Sequence, residues 1–191
     1  MEAFKVFPNA LSSEECDYIA QQCEHTLNIE DATLGEQAKR DVRTKVRSSQ
    51  TGFIEAANLG HTDLWNYTSS RLWNFANEAN RTSFGFDVSY LSYIQYTIYE
   101  PPGDHYDWHI DTFLDTPNAY HRKLSMTVQL SDGWEYEGGD FELRHDGLEK
   151  HDTKSKGTIL VFPSFLLHRV KPVTKGSRKT LVAWFEGKAF R

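Results

Sequence analysis

The spacing of hydrophobic and polar positions changes its rhythm once along the chain, near residue 86. Before that point Phe4–Phe7 reads as a short strand, and Ser12-Ser13-Glu14-Glu15 offers a capping box ahead of an amphipathic helix running to about Leu27. Residues 29–45 are charged and without period, which predicts a mobile loop. Val46–Ile54 is strand-like. Leu64, Tyr67, Leu72 and Phe75 then approximate the buried stripe of a second helix from about Asp63 to Asn80.

From Phe86 onward the pattern becomes short β segments: Ser89–Tyr99, Leu124–Leu130, Asp140–Leu143, Thr158–Phe162 and Thr180–Phe185. Leu124, Met126, Val128 and Leu130 share one face of their strand, and Ser125, Thr127 and Gln129 share the other. A polar strand face in mid-domain predicts a lined cavity. Pro101-Pro102-Gly103-Asp104, Ser131-Asp132-Gly133, Glu137-Gly138-Gly139-Asp140 and Lys175-Gly176-Ser177 supply the turns. Two helices followed by many strands with no helix between them predict an α+β chain whose antiparallel strands close into a jelly roll or small barrel.

Composition narrows this little. The 191 residues suit one domain, with a helical part over about 1–82 and a β part over about 86–187. A net charge of −6 with scattered basic residues carries no footprint for a polyanion, so nucleic acid is not an expected partner. No apolar run approaches the roughly 18 residues of a membrane span, and the start of the chain has no signal-peptide pattern, so a cytoplasmic protein is expected. Cys16 and Cys23 stand about 10 Å apart along the predicted helix, too far for a disulfide, which assigns them to packing in a reduced compartment. A monomer is expected for want of an apolar surface pattern.

The chemistry gathers late in the chain. In a strand, residues i and i+2 share a face, so His109 and Asp111 can address one ion while Ile110 turns into packing. His168, 57 residues after the aspartate, supplies a third ligand from a strand and turn. Two imidazoles and one carboxylate leave positions open for oxygen chemistry at Fe(II). The alternatives are a surface pair with a core histidine, a non-enzymatic metal-binding module, or catalytic zinc, although no H-E-x-x-H arrangement is present. Arg178 precedes the apolar strand Thr180–Phe185, which carries its guanidinium inward, where a five-donor fork suits a dicarboxylate better than an empty core. Its other reading is a solvated residue in a basic turn with Lys175 and Lys179.

His105, His121, His145 and His151 read as solvated histidines, and Asp104, Asp107, Asp132 and Asp140 as turn residues. Trp134 and Tyr136, in the loop before Gly138-Gly139, are placed to cover the mouth of a site.

Arg47-Ser48-Ser49, Tyr99-Glu-Pro-Pro-Gly-Asp-His-Tyr106-Asp-Trp-His109-Ile-Asp111, Arg122-Lys-Leu-Ser125, Glu137-Gly-Gly-Asp and Phe162-Pro-Ser-Phe-Leu-Leu-His168 through Arg178 stand in one order. In that order they resemble the Fe(II)- and 2-oxoglutarate-dependent oxygenases, more narrowly their prolyl 4-hydroxylase-like branch. Arginine at 178, where animal and algal prolyl 4-hydroxylases place lysine, looks more like bacterial and phage-type relatives.

The resemblance implies a double-stranded β-helix with the N-terminal helices packed on it, and Fe(II) held by His109, Asp111 and His168. It further implies 2-oxoglutarate held by Arg178 with Tyr99 and Ser125, O2 as oxidant and ascorbate as reductant. The implied reaction is hydroxylation of an unactivated C–H bond coupled to decarboxylation of 2-oxoglutarate to succinate. Tyr106, Trp184 and Arg47 are candidates to face the substrate, with Trp184 equally readable as a core residue between Val182 and Phe185. The expected substrate is a prolyl residue in a peptide or protein, with a free amino acid or other small molecule as the alternative. Residues 29–45 read either as a lid over a polypeptide or as a variable surface loop.

Overall fold

The computed structural model describes residues 3–32, 46–112, 119–145, 148–150 and 153–190. Ser12 caps the first helix as its sequence requires. Its Oγ accepts from the Glu15 amide at 3.2 Å, and Glu15 accepts from the Ser12 amide at 2.9 Å. Helix α1 (Ser13–Thr26) turns Cys16, Ile19, Ala20 and Cys23 inward, and both cysteines are free and fully buried. Helix α2 (Thr62–Ala79) buries Leu64, Thr68, Ser69, Leu72, Ala76 and Ala79, whereas Tyr67 and Phe75 of the expected stripe are half-buried at its flanks. Small residues on the central line let this helix lie close to the sheet.

The strands are β1 (Lys5–Phe7), β2 (Glu30–Asp31), β3 (Arg47–Ser48), β4 (Gln50–Ile54), β5 (Tyr90–Tyr99), β6 (His105–His109) and β7 (Tyr120–Gln129). They continue with β8 (Tyr136–Gly138), β9 (Phe141–Arg144), β10 (Leu148–Lys150), β11 (Ile159–Pro163), β12 (Leu167–Val170), β13 (Val173–Gly176) and β14 (Arg178–Lys188). A seven-stranded sheet runs β1-β11-β7-β14-β5-β4-β2, a five-stranded sheet β10-β9-β12-β6-β3, and β8 pairs with β13. Every pairing among the described residues is antiparallel, the jelly-roll pattern.

Two cores follow from the alternation of strand side chains. On the outer face of the large sheet Ile94, Met126, Leu181, Ala183 and Phe185 pack with the inward residues of α1 and α2. Trp73 of α2 meets Phe185 edge-on at 5.1 Å. Leu72 is fully buried in this layer, and Leu72→Ala would cost about 2–5 kcal/mol. Between the sheets Tyr99, Phe141, Leu143, Leu160 and Phe162 form a second cluster, which floors the cavity described below.

Three local expectations are corrected. Val46–Ile54 is not one strand: Arg47 and Ser48 pair with Tyr106 and His105 in the small sheet, whereas Gln50–Ile54 pairs with β5 in the large one. The chain changes sheets at Ser49, whose carbonyl accepts from Ala32 at 2.8 Å. Within residues 29–45, Glu30 and Asp31 form an edge strand on β4, and the remainder of the expected lid from 33 to 45 lies outside the described residues. The described residues among the first 82 therefore contribute four strands as well as two α-helices.

Candidate metal centre

His109 and His168 are directly opposed in the pairing of β6 with β12, so a β ladder brings together two residues 59 positions apart. Their ring centres lie 4.2 Å apart. Each ring is held from behind in the same way: His109 Nδ1 donates to the Asp107 carbonyl at 2.7 Å, and His168 Nδ1 to the Leu166 carbonyl at 2.8 Å. A carbonyl only accepts, so both protons sit on Nδ1 and both Nε2 lone pairs are left free. They turn toward Asp111, with His109 Nε2 3.6 Å from Oδ1 and His168 Nε2 3.4 Å from Oδ2.

Asp111 reaches this position by a route that strand parity does not supply. Strand β6 ends at His109, and Ile110 is exposed rather than packed. Asp111 is instead buried beyond the strand end, where its amide donates to the Ser164 carbonyl at 2.8 Å. Ser125 Oγ lies 2.7 Å from Asp111 Oδ2 and 2.9 Å from Ser164 Oγ. Ser125, expected by resemblance to face 2-oxoglutarate, thus has its hydroxyl committed to the aspartate.

Electrostatics keep His109 and Asp111 in ligand form. Burial, reinforced by the neighbouring His168, pushes His109 down to about 4, so its imidazole is neutral at pH 7. Burial opposes ionisation of Asp111, but the two imidazoles and the Ser125 hydroxyl outweigh it and hold its carboxyl below the usual value. The three donor atoms lie within 4.8 Å of one another. An ion with bonds of about 2.1 Å draws neighbouring donors to roughly 3 Å, so this set fits a divalent metal with little movement.

The donors open into a cavity of about 880 Å³ between the sheets, lined also by Arg47, Tyr99, Tyr106, Arg122, Arg178 and Trp184. Arg178 is only 2% exposed and has no carboxylate partner among the described residues, and its Nε makes no hydrogen bond. It stands opposite Tyr99 in the ladder, its guanidinium 5.4 Å from that ring. A side chain at Gly139 would meet Arg178 Cδ at 2.9 Å, and Gly139 has φ of +62°, so only glycine lets the turn close against the arginine. The Tyr136 hydroxyl beside it is buried and faces the Arg178 guanidinium, with no other hydrogen-bond partner among the described residues. A buried cation without a carboxylate among the described residues fits an anion with at least one carboxylate.

The remaining candidates surround the same space. Tyr106 stacks on His109, Arg47 lies 4.6 Å from the Tyr106 ring centre, and Trp184 lines the cavity with its Nε1–H unpartnered. Tyr136 does not cover the mouth but is buried in the cluster with Tyr99, Phe141 and Phe162, Trp134 is 82% exposed, and neither is part of the cavity lining. His121 is buried and accepts from the Phe190 amide, contrary to the solvated reading, and His105 is half-buried. His145 is exposed, and His151 lies outside the described residues.

The sequence pattern gives Arg122 no role. Its guanidinium donates to the Asp111 carbonyl at 3.3 Å, bonds the Tyr93 hydroxyl, and covers the Trp184 ring at 4.1 Å. Arg122 and Ser125 have opposite parity in a regular strand. The pairing of β7 with β14 shifts register between Phe185 and Glu186, opposite Leu124 and Arg122, and this irregularity brings the arginine to the cavity face.

Residues 94–186 match the 2OG-Fe(II) oxygenase superfamily. Over 84 residues, 44% of this chain, the sequence is 37% identical to a PKHD-type hydroxylase of Idiomarina loihiensis. Over 87 residues, 42% of this chain, it is 44% identical to a PKHD-type hydroxylase of a Synechococcus species. The matched segments span only 38% and 36% of those two relatives. Among solved structures, a Trichoplax adhaerens prolyl hydroxylase in complex with a hypoxia inducible factor oxygen degradation domain peptide fragment superimposes with a TM-score of 0.75. The alignment covers 96% of this chain and 83% of that one at 19% identity. A Pseudomonas putida prolyl-4-hydroxylase gives 0.70, covering 97% and 92% at 22% identity, so the fold is shared.

Proposed function

We propose that this chain, which carries a 2OG-Fe(II) oxygenase domain over residues 94–186, is an Fe(II)- and 2-oxoglutarate-dependent dioxygenase that hydroxylates a prolyl residue of a peptide or protein. One observation carries the reading: three convergent metal donors open into the same cavity as a buried guanidinium that has no carboxylate of its own among the described residues. The names of the PKHD-type and prolyl hydroxylase relatives support the reaction class, and the peptide-bound Trichoplax adhaerens enzyme supports the substrate class.

When bound, Fe(II), 2-oxoglutarate and O2 supply the oxidation of the C–H bond, with succinate and CO2 as coproducts and ascorbate maintaining the reduced metal. The chain's own work is to bind, orient and exclude water. His109 Nε2, His168 Nε2 and the Asp111 carboxylate hold the ion. Arg178 holds the distal carboxylate of 2-oxoglutarate, with Tyr99 beneath the guanidinium and the Tyr136 hydroxyl as a further donor. The Tyr106, Trp184 and Arg47 side chains face the substrate, joined by Arg122. None of them needs to act as a general base. No helix among the described residues is long and apolar enough to cross a membrane, and the two free buried thiols support a cytoplasmic setting.

The test is succinate formation by the purified protein with Fe(II), ascorbate, O2 and 2-oxoglutarate, alone and with proline-containing peptides or free proline. Slow uncoupled turnover is expected without substrate, faster turnover with a peptide, and neither with His109→Ala or Arg178→Ala. Absence of both turnover and 2-oxoglutarate binding in the wild type would overturn the proposal.

A further inference from the structure

The way Asp111 is held raises a question that the metal-site reading, on which this inference rests, does not answer. A carboxylate past the end of its strand has no ladder to orient it, yet metal affinity demands that it keep one direction. Asp111 is such a residue, since β6 stops at His109.

An ionised carboxylate only accepts hydrogen bonds, and a serine hydroxyl has one proton to give. Ser125 Oγ is placed to donate both to Asp111 Oδ2 at 2.7 Å and to Ser164 Oγ at 2.9 Å. It has one proton, the carboxylate is the stronger acceptor and takes it, and the contact with Ser164 is then made by the Ser164 proton. The order is one-directional, from Ser164 to Ser125 to Asp111. Both serines are fully buried, so bulk water cannot stand in for either hydroxyl.

Ser164 also grips the other end of the aspartate. Its carbonyl accepts from the Asp111 amide at 2.8 Å, while its own amide donates to the Lys123 carbonyl at 3.0 Å. Ser125 is anchored in the middle of the large sheet, opposite Phe162 of β11 and Trp184 of β14. Ser164 lies in the turn from β11 to β12, four residues before His168. The segment that delivers one histidine thus fixes the carboxylate of a different segment.

We propose that Ser164 and Ser125 are positioning residues whose hydroxyls form a directional relay that orients the Asp111 carboxylate for metal binding. The relay acts in series: Ser164 polarises and orients Ser125, and only Ser125 touches the ligand.

Co(II) titration of the metal-free protein, followed by the visible d–d spectrum and calorimetry, tests this without any turnover. Ser125→Ala is expected to weaken Co(II) binding about 10- to 100-fold and alter the d–d band, and Ser164→Ala to weaken it by less. Ser125→Thr, which keeps the hydroxyl, is expected to restore affinity. The double alanine variant should be no weaker than Ser125→Ala alone, because Ser164 acts only through Ser125.

Wild-type affinity in a folded Ser125→Ala or Ser164→Ala protein, or additive losses in the double variant, would overturn the relay. If circular dichroism shows Ser125→Ala unfolded, the Ser164→Ala result decides. Binding that is lost in His109→Ala but intact in both serine variants sinks the relay alone. A wild type that binds no Co(II) sinks the metal-site reading and the relay together.

Discussion

The Tyr106 ring lies flat on His109, with centres 3.4 Å apart and planes inclined by 12°. Because Nδ1 of His109 is already fixed by the Asp107 carbonyl, the stack removes the remaining freedom, rotation out of the plane. Tyr106 is thereby both a wall of the cavity and a brace for the imidazole. Tyr106→Ala is expected to weaken Co(II) binding about 3- to 10-fold, the worth of an aromatic contact of about 0.5–1.5 kcal/mol. Tyr106→Phe keeps the stack and should bind as the wild type. Calorimetric titration of the three proteins checks both.

A buried guanidinium without an anion is a stability cost that a ligand removes. Arg178→Met should therefore raise the melting temperature of the ligand-free protein while abolishing the stabilisation that millimolar 2-oxoglutarate gives the wild type. The variant should lose about 1.5–3 kcal/mol of 2-oxoglutarate affinity, roughly 10- to 100-fold, with Co(II) binding unchanged. Thermal melts with and without 2-oxoglutarate measure this, and equal ligand shifts in both proteins would place the dicarboxylate elsewhere.

How much of this was legible beforehand depended on how local the cause was. Helix α1 and its cap follow from four adjacent residues, and β5, β7, β9, β11 and β14 match the five segments that the pattern predicts, whereas β8, β10, β12 and β13, of three or four residues each, are too short to show one. His109, Asp111, His168 and Arg178 were readable as residue types in order, and the structure gathers all four around one cavity.

The physical basis for Asp111 was not readable. Strand parity predicted its direction, whereas the strand ends two residues earlier and Ser164, 53 positions away, does the holding. Arg122 escaped because a register shift breaks the parity rule, and the division of Val46–Ile54 escaped because a change of sheet at Ser49 leaves no compositional mark. Each of these is a long-range pairing that local pattern does not encode.

The unpartnered Trp184 Nε1–H predicts a role that its apolar neighbours conceal. The Arg122 guanidinium covers the ring and leaves the indole donor to an incoming acceptor such as a peptide carbonyl. Trp184→Phe retains most of the packing and deletes the donor. It is expected to raise KM for a peptide substrate about 5- to 10-fold, near 1–1.5 kcal/mol, while uncoupled succinate formation stays at the wild-type rate. Steady-state kinetics with and without peptide separate the two effects, and an unchanged KM would return Trp184 to the core.

The His109 shift makes a signed prediction about acid. Its ordinary value of 6.5 applies to the unfolded chain, and burial lowers it to about 4 in the fold. Between those values the unfolded chain binds a proton that the native state refuses, so stability rises with pH across the window and is lost as pH falls from about 6.5 to about 4. The lowered carboxyl of Asp111 loses its contribution only at more acidic pH, below the ordinary value of 3.8, and does not offset the loss. The full difference is of the order of 3 kcal/mol, or about 6–12 °C in Tm for a chain of this size. Melting curves of the metal-free wild type at pH 7 and pH 4.5 should show most of that fall, and His109→Gln, which cannot titrate, should show a fall smaller by that amount. Co(II) should steepen the wild-type dependence, because protons then compete with the ion for Nε2 as well. Equal falls in the metal-free wild type and His109→Gln would mean that the imidazole is as easily protonated in the fold as outside it.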